Sequence, residues 1–150
     1  YDKDGIKIYN DTTATTPEAG AQSLETLNHL RSHIPSGNSD SGIILITGGM
    51  NKGLDYNEFE KSINKYAREV FFLEGDATDA ILASLQAQRS KINIHGPYNN
   101  LTHVLQNVRS IVKKGDIVLF SPGATSFNLF QNEFDRGRKF NEAVEKIFND

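Results

Sequence analysis

Short runs of apolar residues, separated by segments with helical periodicity, are the feature that most constrains the fold of this chain. The clearest runs cover residues 43–47 and 116–120. Nearly continuous apolar runs of this length are typical of strands that are buried on both faces, as in parallel sheets. Further strands are predicted at residues 6–9, 69–73 and 91–95. Helices are predicted at residues 17–33, from after Asp55 to about Tyr66, at 76–88, at 99–113, and in a last region that ends near Phe148.

This alternation of strands and helices predicts an α/β fold. Buried strands need helices to cover them, and right-handed crossovers then give a Rossmann-like, doubly wound, mostly parallel sheet with helices on both faces. Ligands of such sheets bind at the carboxyl ends of the strands. The polar segments 11–16, 48–55 and 121–126 fall at those ends, so we expect a ligand site there.

The composition excludes several classes of protein. The 150 residues correspond to a single domain, and because the first residue is Tyr1 we expect the chain to be a fragment or a processed product. Cysteine is absent, which excludes disulfides and thiolate metal sites and suits a reducing cytoplasm. A net charge of −3 without a basic block argues against nucleic acid or anionic membrane as a partner. There is no apolar run long enough to span a membrane, and the four histidines show no metal-ligand spacing. The first residues show no basic segment followed by an apolar stretch, so a signal peptide is not expected within this sequence.

The first polar segment, 11–16, precedes a predicted helix. Thr16 is a plausible N-cap and Pro17 suits the first turn of that helix. Free amides at a helix start favour an anion, so the segment is interpreted either as an anion site or as ordinary capping.

The second segment contains glycines on both sides of Lys52, at Gly48, Gly49 and Gly53. Glycines let the backbone approach a ligand closely, and a lysine suits a carboxylate or a phosphate. The segment is not a phosphate-binding P-loop, because Lys52 is followed by glycine and leucine and not by serine or threonine. The alternative is a strand-to-helix turn with a solvated lysine.

The third segment, 121–126, is rich in hydroxyls. Its spacing does not fit a serine nucleophile, and the alternatives are a ligand site or capping. Residues 135–138, placed before the last helix, are interpreted as a helix-end charge pair.

Four ordered motifs extend over nearly the whole chain. They are Asn10-Asp11 with Ala14-Thr15; Gly48-Gly49 with Lys52-Gly53 and Asp55; Leu119-Phe120-Ser121-Pro122 with Ala124 and Ser126-Phe127; and Phe130 with Asn132, Asp135-Arg136-Gly137 and Phe140. With these motifs in this order, the chain resembles the C-terminal domain of the peptidoglycan Mur ligases, nearest to the branch that adds D-glutamate.

The resemblance implies a three-domain ligase of which this chain is the third domain. The full enzyme uses ATP and Mg²⁺, bound mainly by the central domain, to join D-glutamate to UDP-N-acetylmuramoyl-L-alanine. Thr15, Lys52 and Ser126 correspond to residues that hold the D-glutamate carboxylates, with the backbone near Phe127, and Asp11 corresponds to a contact with the ATP ribose. On this resemblance no residue of the chain is catalytic or binds a metal. The isolated chain is expected to be inactive, monomeric and located in the bacterial cytoplasm.

The chain departs from the pattern of that branch at three places. Thr13 stands where a lysine is usual, Asn51 stands where an aspartate is usual, and the order Glu133-Phe134 is reversed.

Two other functions remain open. The first is a stand-alone Rossmann-like module that binds a nucleotide or a partner protein. A dinucleotide site would need a glycine-rich turn after the first strand, where this chain has Asp11-Thr12-Thr13. The second is a domain of the folylpolyglutamate-synthase type, although the pattern over 121–140 favours the Mur ligases.

Overall fold

A computed structural model describes residues 1–33, 40–126 and 128–149. Within these residues six strands form one sheet and five helices cover it. The strands are β1 (Asp2–Lys3), β2 (Ile6–Asn10), β3 (Ile43–Thr47), β4 (Ala67–Leu73), β5 (Asn93–Tyr98) and β6 (Ile117–Phe120). The helices are α1 (Pro17–Ser32), α2 (Asn57–Tyr66), α3 (Asp76–Ala87), α4 (Leu101–Ile111) and α5 (Glu133–Phe148).

The sheet is parallel except at one edge. The strands lie in the order β1-β2-β6-β3-β4-β5, and only β1 is antiparallel to its neighbour. The mostly parallel sheet that the sequence predicts is therefore confirmed. Sequence reasoning missed β1, which pairs with β2 through a two-residue turn at Asp4 and Gly5, where φ is 56° and 77°. An Asp-Gly pair is a strong hairpin signal, so this turn was detectable.

The central strands are buried on both faces, as their apolar runs predict. Side chains alternate along a strand, so Ile43 and Leu45 of β3 face one layer of helices while Ile44 and Ile46 face the other. One layer consists of α1, α2 and α3, and the opposite layer consists of α4 and α5. The prediction of helices on both faces is thus confirmed.

Three predicted details need correction. The strand placed at 91–95 lies at Asn93–Tyr98. The helix placed at 99–113 begins later, because the side chain of Asn100 accepts hydrogen bonds from the amides of the two residues at the helix start. Residues 135–138 lie inside α5 and not before it, since Asn132 caps that helix by accepting a hydrogen bond from the Asp135 amide at 2.8 Å.

Leu30 also lies outside the core that its spacing suggests. Leu24 and Leu27 of α1 are buried, whereas Leu30 is 49% exposed. A spacing of three rotates each residue by about 300°, so the third member of such a series has turned away from the buried face.

A buried carboxylate connects residues near the amino-terminal ends of the central strands. Asp116, just before β6, accepts hydrogen bonds from the amides of Gly42 and Lys113 and forms an ion pair with Arg68 at 2.9 Å. These contacts connect the approaches to three adjacent strands. None of the helices in the described ranges is long and apolar enough to cross a membrane.

Candidate functional site

Three loops meet at the carboxyl edge of the sheet, as the positions of the polar segments predict. The first loop follows β2, the second follows β3 and the third follows β6. The amide of Gly123 donates to the carbonyl of Ala14 at 2.8 Å, which connects the third loop to the first. The amide of Gly48 donates to the carbonyl of Pro122 at 3.0 Å, which connects the second loop to the third.

A two-way backbone bridge strengthens the connection between the second and third loops. Met50 and Thr125 each donate an amide hydrogen bond to the other's carbonyl, both at 3.1 Å, and pair as an isolated antiparallel bridge. The Thr125 hydroxyl also donates to the Met50 carbonyl at 3.2 Å. Lys52 lies two residues after one partner and Ser126 lies one residue after the other, so the bridge brings their backbones to the same place.

The glycines of the second loop permit this close packing. Gly48 and Gly49 have φ values of 105° and 148°, which favour glycine. A Cβ on Gly48 would collide with the Thr78 hydroxyl, and one on Gly49 would collide with the Thr125 carbonyl. The sequence suggests that these glycines let the backbone approach a ligand. At these two positions, however, they let it approach other residues of the same chain.

Lys52 extends from a loop whose shape Asn51 determines. The side-chain oxygen of Asn51 accepts hydrogen bonds from the backbone amides of Gly53 and Leu54 at 2.8 and 3.2 Å. The backbone amide of Asn51 donates to the Asp76 carboxylate at 2.6 Å. Lys52 is exposed and makes no hydrogen bond or ion pair with any residue that the structure describes. Asn51 thus forms an Asx turn, which the aspartate usual at this position could form as well.

Tyr56, at the end of the same loop, is buried. Burial raises the pKa of its hydroxyl, and the carboxylates of Asp76 and Glu18 raise it further. The phenol therefore stays neutral, and the loop carries its positive charge at Lys52.

Ser126 is buried but keeps an unused hydroxyl. The residue is 3% exposed, and its carbonyl accepts from the Phe130 amide at 2.9 Å. Its hydroxyl has no hydrogen-bond partner among residues 1–33, 40–126 and 128–149. Ser126 lines a narrow cleft together with Gly48, Gly49 and Arg136. Lys52 and Thr15 are not among the described residues that line this cleft. The prediction for Phe127 falls outside the described residues.

Thr15 lies next to the capped start of α1. The predicted cap is confirmed, because the Thr16 hydroxyl accepts a hydrogen bond from the Ala19 amide at 3.3 Å. The Thr15 amide donates to the Thr13 carbonyl at 2.9 Å, while its hydroxyl is without a partner in the part of the chain that the structure describes. Thr13 is exposed.

Asp11 lies at the end of β2, and hydroxyls hold its carboxylate. Its Oδ2 atom accepts hydrogen bonds from Ser23 of α1 and from Ser121 at the end of β6, the second at 2.9 Å. An open groove beside it is lined by Tyr9 and Gln22, among others.

Arg136 holds the first and third loops against α5. It is 1% exposed, and its guanidinium donates to the Thr12 hydroxyl, the Thr12 carbonyl and the Ala124 carbonyl at 3.1, 2.6 and 3.0 Å. Burial lowers the pKa of Arg136 to about 10, opposed by the charge of Glu133. The predicted charge pair is confirmed for Asp135 and Arg138, at 2.8 Å, and is wrong for Arg136.

The burial of Arg136 was detectable from its spacing. Residues 136, 140 and 144 follow one another at intervals of four, which places them on one face of a helix, and all three are buried. At the reversed pair, Glu133 is half-buried and its carbonyl accepts from the Thr12 hydroxyl, whereas Phe134 is 70% exposed.

The chain is similar in sequence to known ligases over nearly its whole length. No protein-family profile matches it. A UDP-N-acetylmuramoylalanine–D-glutamate ligase of Treponema pallidum is 35% identical over 148 residues, which are 99% of this chain and 25% of the ligase. The chain matches a C-terminal domain of the Mur ligase family. It spans about a quarter of the length of that relative.

Solved structures support the Mur ligase fold. A murein peptide ligase of Psychrobacter arcticus superposes with a TM-score of 0.64 and 15% identity, over 98% of this chain and 29% of that protein. A Mur ligase of Thermotoga maritima, solved in complex with ADP, superposes with a TM-score of 0.57 and 21% identity, over 99% of this chain and 30% of that protein. At these identities the likeness concerns the fold.

Proposed function

We propose that this chain is the amino-acid-binding domain of an ATP-dependent ligase of peptidoglycan precursor synthesis, and that its amino acid is D-glutamate. The observation that carries the proposal is the Met50–Thr125 bridge. It joins the backbones next to Lys52 and Ser126, and the side-chain ammonium of Lys52 and hydroxyl of Ser126 have no partner among the described residues. Thr15 offers a second unused hydroxyl, on the first loop, which a backbone hydrogen bond joins to the loop that contains Ser126. The similarity to D-glutamate ligases supports the choice of ligand.

The charges of the ligand suit these groups. D-glutamate carries two carboxylates and an amine that must stay free to attack. The Lys52 ammonium can bind one carboxylate by a charge-assisted hydrogen bond, and the hydroxyls of Ser126 and Thr15 can donate to the other. The backbone near Phe127 is included in the proposed site. The contribution of these groups to the reaction is to position the amine, which can lower a barrier by several kcal/mol.

The reaction also needs groups outside this chain. The 150 residues contain no phosphate-binding loop, so we propose that ATP and Mg²⁺ are bound mainly by another domain, with Asp11 contacting the ribose. ATP supplies the phosphoryl group that activates the carboxylate of UDP-N-acetylmuramoyl-L-alanine. The isolated domain is then inactive, and the whole ligase is a monomer of the bacterial cytoplasm.

Steady-state kinetics on the full-length protein test the proposed site. Lys52→Ala removes a charge-assisted hydrogen bond worth roughly 1.5–3 kcal/mol. We expect kcat/KM for D-glutamate to fall by about 10- to 150-fold at about 1.36 kcal/mol per factor of ten, with KM for ATP and for the UDP-sugar little changed. Lys91→Ala is the matched control, because Lys91 is exposed and precedes β5 at the opposite edge of the sheet.

Two results would count against the proposal. Unchanged kinetics for D-glutamate in Lys52→Ala would remove that residue from the site. Tight binding of a nucleotide by the isolated chain, without ligase activity in the full-length protein, would favour the stand-alone nucleotide module.

A further inference from the structure

The carboxylate of Asp11 is held on one side only. Its Oδ2 atom accepts hydrogen bonds from the hydroxyls of Ser23 and Ser121, whereas Oδ1 has no partner among the residues that the structure describes. The Asp11 amide donates to the Phe120 carbonyl at 2.8 Å, so the backbone of this residue is fixed as well.

The two serines come from different parts of the fold. Ser23 lies in the second turn of α1, and Ser121 follows the last residue of β6. Both hydroxyls donate to the same oxygen, although Ser23 has an alternative acceptor in the Ala19 carbonyl at 3.0 Å. An aspartate side chain rotates readily about its last torsion angle. Two donors on one oxygen select a single orientation, which leaves the other oxygen free to accept.

The groove beside Asp11 has the chemistry of a nucleoside site. The Tyr9 ring, 38% exposed, offers an aromatic surface, and the Gln22 amide offers a donor and an acceptor. Leu27 and Leu119 supply apolar surface to the same groove. An ionised carboxylate only accepts hydrogen bonds, and the hydroxyls of a ribose are donors that it can bind.

We propose that Ser23 and Ser121 are positioning residues for nucleotide recognition, which hold Asp11 so that its free Oδ1 accepts from a ribose hydroxyl. The inference rests on the proposed contact between Asp11 and the ATP ribose and assigns it two supporting residues. Both serine hydroxyls donate to the Asp11 carboxylate, and Ser121 is not among the described residues that line the groove. They act through the orientation of the carboxylate. Their loss should therefore reduce the preference for ATP over its deoxy analogues while the protein still folds.

Binding of ATP and its deoxy analogues to the full-length protein tests this role. Titration calorimetry gives dissociation constants for ATP, 2′-deoxy-ATP and 3′-deoxy-ATP. In the parent protein, we expect at least one analogue to bind more weakly than ATP. A hydrogen bond worth about 1 kcal/mol corresponds to a factor of about five. In Ser23→Ala and in Ser121→Ala, the ratio of the analogue's dissociation constant to that of ATP should therefore fall by about two- to fivefold, towards one.

Three further variants make the test selective. Ser23→Thr keeps a hydroxyl and should restore the parent ratio. Ser110→Ala is the control, because the Ser110 hydroxyl donates only to the Asn107 carbonyl on an exposed face of α4. Asp11→Ala removes the acceptor itself and sets the largest loss of discrimination that the site can show.

The outcomes separate the two levels of the proposal. If Asp11→Ala leaves the ratio unchanged, or if ATP does not bind, the ribose contact is wrong and the role of the serines fails with it. If Asp11→Ala abolishes discrimination while both serine variants keep the parent ratio, only the positioning role is overturned. A serine variant that weakens ATP and its analogues equally would show a purely structural role and would also overturn it.

Discussion

Replacement of Arg136 should destabilise the protein far more than replacement of its neighbour Arg138. The guanidinium of Arg136 is buried and donates three hydrogen bonds, two of them to the carbonyls of Thr12 and Ala124. Arg138 is exposed and pairs with carboxylates at the surface. Arg136→Ala would leave one buried and one partly buried carbonyl oxygen without these donors, whereas Arg138→Ala would leave only surface groups that water can satisfy.

The magnitude follows from two opposing contributions. Hydrogen bonds from a charged donor stabilise by roughly 1.5–3 kcal/mol each. Burial of the guanidinium opposes this: it lowers the pKa of Arg136 to about 10, which corresponds to roughly 3 kcal/mol at about 1.36 kcal/mol per unit. The balance predicts that Arg136→Ala lowers the free energy of unfolding by about 2–5 kcal/mol. For a domain of this size, that is a fall in Tm on the order of 5–20 °C.

Urea and thermal unfolding followed by circular dichroism measure this difference. Arg138→Ala serves as the matched control and should leave both midpoints unchanged within error. Arg136→Lys should fall between the parent and the alanine variant, because a lysine provides a point charge but not the planar fork that reaches both loops. Equal stability of Arg136→Ala and Arg138→Ala would show that the three hydrogen bonds do not support the fold.

Two further substitutions test the packing of the core and of the second loop. Leu24→Ala should cost about 2–5 kcal/mol in unfolding free energy and Leu30→Ala less than about 0.5 kcal/mol, because only the first is buried. A chemical-denaturation series gives both values, and equal effects would contradict the assignment of the buried face of α1. Gly49→Ala should destabilise by at least about 1–3 kcal/mol, since it combines an unfavourable φ with a collision against a carbonyl. Gly53→Ala is the control, because a Cβ there would meet no atom within 4 Å. In the same denaturation series, Gly49→Ala should lower the free energy of unfolding more than Gly53→Ala does.

The elements that local pattern determines were predictable from the sequence. The strands β3 and β6 are short, apolar and bounded by polar loops, and this local pattern alone predicts buried strands. The start of α1 was predictable as well, because Thr16 and Pro17 carry the signals of a helix N-terminus. Since the carboxyl ends of parallel strands share one edge, the meeting of the three loops followed from the fold class alone.

What depends on contacts between distant residues was not predictable in this way. No local signal pairs Arg136 with Thr12, which lies 124 residues away. Nor does any local signal direct the hydroxyl of Ser121 to Asp11, which lies 110 residues away. The boundaries of β5 were misplaced for a different reason: at the edge of the sheet it has exposed or half-buried residues and lacks the apolar run of a central strand.

The Met50–Thr125 bridge determines where the carboxyl edge can accept extra residues. Loop tips are usually the sites that best tolerate insertions. Here Gly48 and Met50 are held by backbone hydrogen bonds to the third loop, and a Cβ added at Gly48 or Gly49 would collide with neighbouring atoms. Open space begins at Gly53, where an added Cβ would meet no atom within 4 Å. A peptide tag or a fluorescent label inserted after Leu54 would keep both hydrogen bonds of the Asn51 turn and should therefore be accommodated. It would report from the rim of the candidate site without separating the second and third loops.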